Sequence, residues 1–271
     1  MSILYLVATP IGNLEDISYR AIRTLKEVDL IAAENADKIR KLLSFYNIKT
    51  PVTTYHEQGK KAKLSHIIEH LEESNVALVT EAGTPTISDP GYDLIREALQ
   101  RGIQVSAIPG PSAIPIALAL SGLPCSQFLF LGFLPRKKNE RRRVLEEAAN
   151  EPCTLVIFEA PHRLIASLSD IAEILGDRAI AVCRELTKFY EEVFRGTVRE
   201  ALAYFVDPKG EFTLVISGND RSSHRDISKT VREQLKRLHD QGYSAKDATQ
   251  IVSQSSGIPK KTLYREWLAL T

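Results

Sequence analysis

One local pattern recurs three times in the first half of the chain and narrows the folds open to it. A short apolar run with the character of a buried strand leads into a loop rich in glycine and proline, and a helical pattern follows. In each of the three copies, the strand and the loop lie within residues 4–14, 76–91 and 105–113 respectively. Such alternation is typical of a mainly parallel sheet covered by helices on both faces. The sequence therefore predicts an α/β fold.

The three loops are expected to lie together, because the carboxyl ends of parallel strands meet at one edge of a sheet and bind ligands there. In the middle loop, Gly83 lets the backbone approach a ligand closely, while Pro85 and Pro90 fix the path of the chain. None of the loops has the G-x-G-x-x-G or G-x-x-x-x-G-K-[ST] pattern, so neither a dinucleotide nor a nucleoside triphosphate is indicated. We expect a cleft for a small molecule of another kind.

The chain divides into three predicted domains, at residues 1–113, 114–220 and 221–271. The first is the α/β region just described, and the second has strand patterns that predict a mixed sheet. The third holds short helical patterns around a Gly-containing turn, an outline shared by helix-turn-helix readers of nucleic acid and by small structural bundles. In the first domain, the periodicity predicts strands at 3–8, 30–33, 52–57, 76–79 and 103–108 and helices over 14–28, 37–46 and 60–73.

Composition argues against several classes of protein. The 271 residues are 44% hydrophobic and carry a net charge of +1, so no overall attraction to nucleic acid or membrane is expected. The tail is an exception, since residues 221–271 hold ten Lys or Arg against five Asp or Glu. Three widely spaced cysteines indicate neither a disulfide framework nor a zinc site, and no metal is expected. The N-terminus lacks signal-peptide features and turn residues interrupt the apolar stretch 113–134, so we expect a cytoplasmic protein without a membrane span.

Charged residues cluster after several strand patterns. A basic run follows the strand pattern at 128–133, and it is as typical of a solvated surface as of a site that neutralises RNA phosphates. Acids and bases also stand together at 159–163 and 184–188, where active sites of α/β folds collect. The sequence contains neither H-E-x-x-H nor G-x-S-x-G, so hydrolysis is not indicated. The candidate RNA-binding residues of the run are Arg136, Lys137, Lys138, Arg141, Arg142 and Arg143.

These motifs, taken in order along nearly the whole chain, resemble those of the tetrapyrrole methylase superfamily. Within it, the sequence is most similar to the ribosomal RNA small subunit methyltransferase I branch, which also has a short helical tail. The resemblance implies a two-domain fold that binds S-adenosylmethionine between the domains. The segments that carry it are 7–14, 81–91, 108–113, 132–137, 161–164, 184–188 and 195–197.

The resemblance also implies an activity and a set of site residues. The branch methylates the ribose 2′-hydroxyl of a cytidine in the decoding region of small-subunit ribosomal RNA, and its members are typically homodimers. The regions of Glu159 and Leu186 are further, less direct matches to the cofactor site. The residues that match cofactor-contacting positions of the superfamily are Pro10, Ala82, Gly83, Thr84, Ile87, Ser112 and Ala113.

A ribose hydroxyl needs a group that takes its proton when the methyl group is transferred. Acidic residues near the predicted strand ends are the first candidates for that catalytic role, and His162 and Lys188 are the alternatives. A mildly acidic cleft also suits a methyl donor that carries a sulfonium charge. The catalytic candidates are Glu34, Glu81 and Glu185.

The chain departs from the branch at two places. Residues 34–37 read Glu-Asn-Ala-Asp where the branch usually has Glu-Asp-Thr-Arg, and residue 81 is Glu where the branch usually has Asp. The first change places an acid in a loop that we expect to contact the substrate, and it predicts either altered substrate preference or reduced activity. Two other functions stay open: methylation of a porphyrin-like small molecule, and a ligand-sensing regulator that binds nucleic acid through the tail.

Overall fold

The structure is a computed structural model that describes residues 2–55, 60–219, 229–256, 258 and 260–268. Strands and helices alternate through residue 216, and helices alone follow. The strands are β1 (Ile3–Val7), β2 (Leu30–Ala33), β3 (Val52–Thr54), β4 (Val76–Val79), β5 (Gln104–Ile108), β6 (Phe128–Phe133), β7 (Thr154–Glu159), β8 (Ala179–Arg184), β9 (Glu192–Thr197) and β10 (Phe212–Ile216). The helices are α1 (Tyr19–Glu27), α2 (Ala36–Phe45), α3 (Lys60–Glu73), α4 (Tyr92–Gln100), α5 (Ala113–Ser121), α6 (Lys138–Ala148), α7 (Leu164–Ile174), α8 (Val198–Tyr204), α9 (Lys229–Asp240), α10 (Ala245–Ser256) and α11 (Lys260–Leu268).

The first sheet is parallel and has helices on both faces, as the sequence predicts. Its strands pair in the order β3-β2-β4-β1-β5. Successive side chains of a strand point to opposite faces, so Ile31 and Ala33 of β2 join a core with α1 and α2, while Leu30 and Ala32 join another with α3 and α4. All four residues of β2 are buried. This two-sided burial explains why the strand reads as an unbroken apolar run.

The second sheet is mixed, again as predicted, with the order β6-β7-β10-β8-β9. β6 and β7 are parallel, and β10 runs antiparallel between β7 and β8. In that register Phe212 pairs with both Glu159 and Arg184. The start of β10 and the ends of β7 and β8 therefore lie at the same edge of the sheet. Helix α5 packs against one face of this sheet through Ile114, Ala117 and Leu118.

One predicted helix is wrong in its bounds. Residues 14–28 do not form a single helix, because a short 3₁₀ turn at Leu14–Asp16 is followed by extended backbone before α1 begins. Ser18 is the N-cap of α1, and its hydroxyl accepts a hydrogen bond from the Ala21 N–H at 3.1 Å. Ser18 could have indicated where this helix begins, because serine is a preferred N-cap residue. Of the predicted strand at 52–57, residues 56 and 57 lie outside the described residues.

The chain forms two compact units. The first comprises Met1–Ala149 with Thr154–Ser217 and contains both sheets; the second comprises Asn150–Cys153 with Gly218–Thr271. The division into three domains at residues 1–113, 114–220 and 221–271 remains a prediction. Within the second unit, α9, α10 and α11 pack around a small apolar core. Its buried residues are Leu235, Ala248, Val252, Ile258, Leu263 and Trp267.

Candidate active site

A cavity of about 380 Å³ opens in the first unit where loops from both sheets meet. Loops after β2 and β4 contribute one part of its lining, and the ends of β6, β7 and β8 with the start of β10 contribute another. This size lies within the range of small-molecule sites. Among the described residues, no group of His, Cys, Asp and Glu side chains could hold a metal ion, and no helix has the length and apolar character to cross a membrane.

The cavity brings together most of the residues matched to the cofactor site. Pro10 is buried beside the lining residue Ile11 and does not itself line the cavity. Glu159 and Leu186, the less direct matches, both line it. The other matched residues that line the cavity are Ala82, Gly83, Thr84, Ile87, Ser112 and Ala113.

The loop between β4 and α4 has an unusual backbone that is fixed at its start. Gly83 has φ of +79°, and its N–H and C=O exchange 2.9 Å hydrogen bonds with the backbone of Thr9. Thr86 and Ser88 also have positive φ, at 72° and 67°. Non-glycine residues in this region cost energy and are concentrated at functional sites. The strained loop therefore supports the assignment of this cavity as the site.

Three carboxyl groups face the cavity from the first sheet: Glu34, Glu81 and Asp89. Burial raises the pKa of Glu34, an effect that outweighs the hydrogen bond from the Glu81 N–H. The Glu34 Oε2 atom is buried and has no hydrogen-bond partner among the described residues. A buried carboxylate oxygen without a donor is costly, so this atom is well placed to accept a hydrogen bond from a ligand.

Asp89 is the site residue that the sequence reasoning missed. Burial raises its pKa to about 7, with the charges of Glu34 and Glu81 acting in the same direction and a hydrogen bond from Thr80 opposing them. Asp89 lies eight residues after Glu81, in a loop that the sequence already predicts to be part of the site, so its position in the sequence could have identified it. Its proximity to Glu34 could not have been predicted, because Glu34 follows a different strand.

The two departures from the branch pattern contact each other. The Asn35 side chain donates a 3.1 Å hydrogen bond to Glu81 Oε1, and Lys38 forms an ion pair with the other oxygen of Glu81. An aspartate at position 35 would instead place a second acid beside Glu81. Asn35 also caps α2 by accepting hydrogen bonds from the Asp37 and Lys38 N–H groups. The two changes are therefore mutually compatible.

Asp37, the acid that stands where the branch usually has arginine, is turned to solvent. Its side chain is 86% exposed and pairs with Arg40 at 2.7 Å. A pair this exposed contributes little to stability. The structure thus places this change on the surface, outside the cavity lining.

Glu185, the third catalytic candidate, does not line the cavity. Its Oε1 atom accepts hydrogen bonds from Lys188 Nζ at 2.9 Å and from the Glu211 N–H at 2.8 Å. Burial alone would raise the pKa of Glu185, but these two groups outweigh it and hold that pKa below its ordinary value. An acid with a lowered pKa is a weak proton acceptor, so the placement does not favour Glu185 as a base. The Lys188 ammonium is engaged by both glutamates.

His162, the other alternative, is exposed in a 3₁₀ turn and does not line the cavity. Glu159 lines the cavity but is satisfied, since its carboxylate accepts hydrogen bonds from Ser167 and from the Ala160 N–H. Cys183 also lines the cavity, and burial raises the pKa of its thiol to about 11. A thiol with so high a pKa is a poor nucleophile at neutral pH.

The basic run contains residues that are wholly or partly buried in ion pairs and residues that are exposed, and among the exposed ones Lys137 pairs with Glu140 and Arg143 with Glu147. Arg141 is only 6% exposed and forms a 2.6 Å ion pair with Asp170, so it is removed from the set of cations free to bind phosphate. Arg142 is engaged by Asp170 and Glu173. The spacing could have shown this for Arg141, which lies four and seven residues before the buried Leu145 and Ala148. The exposed residues of the run are Arg136, Lys137, Lys138 and Arg143.

Comparisons with known proteins agree with the fold. The family model described as Tetrapyrrole (Corrin/Porphyrin) Methylases matches residues 3–202, and the chain belongs to this family. Among solved structures it is similar to a diphthine synthase, with a TM-score of 0.62 and 16% identity over 80% of this chain and 90% of that one. It is also similar to the uroporphyrin-III C-methyl transferase from Thermus thermophilus complexed with S-adenyl homocysteine, with a TM-score of 0.57 and 17% identity over 80% of this chain and 97% of the other. Likeness at this level of identity shows the fold alone.

Closer relatives define the branch within that family. The chain is 45% identical to the ribosomal RNA small subunit methyltransferase I of Halalkalibacterium halodurans, over 96% of this chain and 93% of the relative. It is 43% identical to the protein of the same name from Bacillus subtilis, over 97% and 93% of the two chains. The chain is therefore a methyltransferase of the ribosomal RNA small subunit methyltransferase I branch.

Proposed function

We propose that this methyltransferase transfers a methyl group from S-adenosylmethionine to the 2′-hydroxyl of a cytidine in the decoding region of small-subunit ribosomal RNA. The observation that carries the proposal is the cavity itself, where carboxyl groups and the motif residues of the branch line one space. The names of the relatives supply the class of substrate. The cytidine and its 2′-oxygen come from the resemblance of the motifs.

The lining fits S-adenosylmethionine as methyl donor. When bound, the donor supplies an electrophilic methyl group on a positively charged sulfur. Glu34 and Glu81 provide negative charge toward such a cation, and Ile87 and Leu186 provide apolar surface for the nucleoside part. Gly83 suits this loop because its φ of +79° is a backbone conformation that residues with a side chain rarely adopt.

We place the RNA backbone on the exposed part of the basic run. Arg136, Lys137, Lys138 and Arg143 start just beyond β6, whose last residue Phe133 lines the cavity. Cations at the rim of the cavity can neutralise phosphates on either side of a target nucleotide. We further propose that the chain acts as a homodimer in the cytoplasm, with the small ribosomal subunit or its RNA as partner.

The test is methyl transfer from S-adenosylmethionine with a labelled methyl group to small ribosomal subunits that lack their native modification. We expect the label on the RNA, at a cytidine. The phosphodiester on the 3′ side of that nucleotide should resist alkaline hydrolysis, because its neighbouring 2′-oxygen is methylated. A porphyrinogen in a parallel reaction should accept none. Label on the porphyrinogen alone would replace the proposal by the alternative substrate class, and label on an RNA base would overturn the 2′-O assignment.

The RNA surface has its own test, in which the double variant K137Q/K138Q is compared with K26Q/K49Q. All four lysines are exposed, and both variants remove two positive charges. If Lys137 and Lys138 each contact a phosphate, K137Q/K138Q should lower the slope of log affinity against log salt by about 1.4–1.8. The control should leave that slope unchanged. Equal slopes for the two variants would remove the basic run from the RNA surface.

A further inference from the structure

The cavity contains a carboxyl group whose surroundings differ from those of its neighbours. Asp89 lies in the strained loop between β4 and α4. Within the described residues it forms no ion pair, as is also true of Glu34, but Lys38 acts on the charge of Glu34 whereas the charges that act on Asp89 are both acidic. The buried Thr80 hydroxyl acts on the Asp89 carboxyl group, and its own proton is donated to the Ala82 carbonyl at 3.3 Å. The strained loop therefore places Asp89 at the cavity without a paired cation.

The other carboxyls are less suited to take a proton. Glu81 is held by Asn35 and Lys38, so its oxygens are already occupied. Glu34 accepts the Glu81 N–H through its carboxyl group and keeps one buried oxygen for a ligand. Across the cavity, Glu159 is satisfied by Ser167 and the Ala160 N–H.

Glu211 completes the set of acids that line the cavity, and it is paired with Lys188 at 2.9 Å. The titratable groups that bear on Asp89 are therefore Glu34 and Glu81, with Lys38 acting through Glu81. The negative charges of both glutamates oppose ionisation of Asp89 and so favour its protonated form. A base reaches that form when it has accepted the proton of the substrate.

Building on the proposed function, we infer that Asp89 is the catalytic residue that accepts the proton of the substrate 2′-hydroxyl, with Glu34 accepting a second hydrogen bond from the substrate or the methyl donor. In this step the 2′-oxygen forms a bond to the methyl carbon as the carbon–sulfur bond breaks, and the electron pair of that bond stays on sulfur. The hydroxyl proton passes to the Asp89 carboxylate and then to water. The products are the 2′-O-methyl ribose, the neutral thioether and one released proton.

This role predicts a definite pH dependence. A base must be ionised to act, and Asp89 ionises at about pH 7 in the free protein. The rate of the chemical step should therefore rise with pH and level off above the pKa of this group. An aspartate at its ordinary pKa would give no change across neutral pH.

The experiment compares wild type, D89N and D93N in single-turnover methyl transfer to unmodified small subunits between pH 5.5 and 9. Asp93 is a matched control, since it lies in the first turn of α4, outside the cavity lining, and pairs with Arg96 at 3.6 Å. We expect D89N to lose on the order of 10²–10⁴-fold in rate, together with the rise across neutral pH. D93N should follow the wild-type profile. Affinity for S-adenosylhomocysteine should change less than about threefold in D89N, since the loss is in the chemical step.

Three results would contradict the inference. The first is a D89N rate within threefold of the wild-type rate. The second is a slow D89N that keeps the wild-type pH profile, which would assign the proton to another group. A loss of S-adenosylhomocysteine affinity as large as the loss of rate would make Asp89 a binding residue. The wild-type reaction separates this inference from the proposed function: transfer by wild type with an unimpaired D89N overturns only the role of Asp89, whereas no transfer by wild type overturns both.

Discussion

Carboxyl groups gather at the edges of both sheets, but the two groups are neutralised to different degrees. After β2 and β4, Glu34, Glu81 and Asp89 line the cavity, and the exposed Lys38 pairs with Glu81. Between β8 and β10, Lys188 pairs with Glu185 and Glu211 at 2.9 Å each. The pKa of Asp89 accordingly rises to about 7 through burial and the neighbouring acids, whereas that of Glu185 is held low by the Glu211 N–H and Lys188 despite burial.

This difference separates a chemical role from a structural one. A carboxylate that is paired and hydrogen-bonded holds its loop in place, and Glu185 does so at a residue with φ of +51°. A carboxylate that lacks a cation stays able to exchange a proton near neutral pH. Carboxyl groups at strand ends of the two sheets thus serve two purposes, and burial together with the balance of nearby acids and cations decides which.

The largest expected effect comes from removing the cation of the second group. K188M leaves two glutamates without their lysine, and we expect a loss of about 1–2 kcal/mol in the free energy of unfolding at pH 7, measured by urea denaturation. K209M is the control, because Lys209 and Asp207 form an exposed pair with side chains 77% and 80% exposed. Such pairs contribute little, so K209M should unfold like wild type.

The same variant has a pH signature. Since the folded pKa of Glu185 lies below its ordinary value, its contribution is present above that value and is lost as pH falls through the folded pKa. The difference between wild type and K188M should therefore narrow in acid, below about pH 4. A difference that stays constant from pH 7 to pH 3 would contradict the electrostatic account and point to lost packing.

A smaller effect is expected on the stability of the first group. The pKa of Asp89 in the folded protein, about 7, exceeds its ordinary value of 3.8, so the folded state binds this proton more tightly. Wild type should therefore lose stability as pH rises from about 4 to 7, while D89N should not. We expect D89N to melt above wild type at pH 8 and at the same temperature near pH 3.5, where Asp89 is protonated in both the folded and the unfolded chain. Destabilisation of D89N at both pH values would show that the carboxylate is structurally required.

The smallest effect tests the link between Lys38 and Asp89. In K38M the charge of Glu81 is no longer balanced, so the midpoint of the pH profile of methyl transfer should move to higher pH by about 0.3 unit. The shift is small because the Lys38 side chain is 63% exposed and screened by water. R40M, which removes an exposed cation paired with Asp37 on the same helix, should leave the midpoint in place. A shift to lower pH in K38M would be inconsistent with the account.

Much of the fold and part of the site follow from the sequence. The parallel sheet was predictable because two-sided burial leaves unbroken apolar runs such as Leu30–Ala33, and the loops after those strands then had to meet. This is why Gly83 and Ser112, far apart in sequence, line the same cavity. The contribution of the second sheet was harder to predict, because a mixed sheet does not fix which strand ends share an edge.

What the sequence could not supply is the state of each charge. Arg141 and Arg143 read alike in a basic run, yet Arg141 is buried against Asp170 and Arg143 is exposed. Glu185 and Asp89 are both acids in loops after strands, yet their pKa values shift in opposite directions. Glu185 is stabilised as the anion by the Glu211 N–H and Lys188, whereas Asp89 is buried beside Glu34 and Glu81. Burial and pairing are properties of the folded chain, and they decide which acids and bases are free to act.

The most direct test of this contrast is a titration of the side-chain carboxyl carbons by ¹³C NMR, in protein labelled at Asp and Glu. D89N and E185Q would assign the two signals by their disappearance. The account predicts a midpoint near pH 7 for Asp89 and one below 4.5 for Glu185. Ordinary midpoints for both groups would contradict it, and with it the assignment of Asp89 as the proton acceptor.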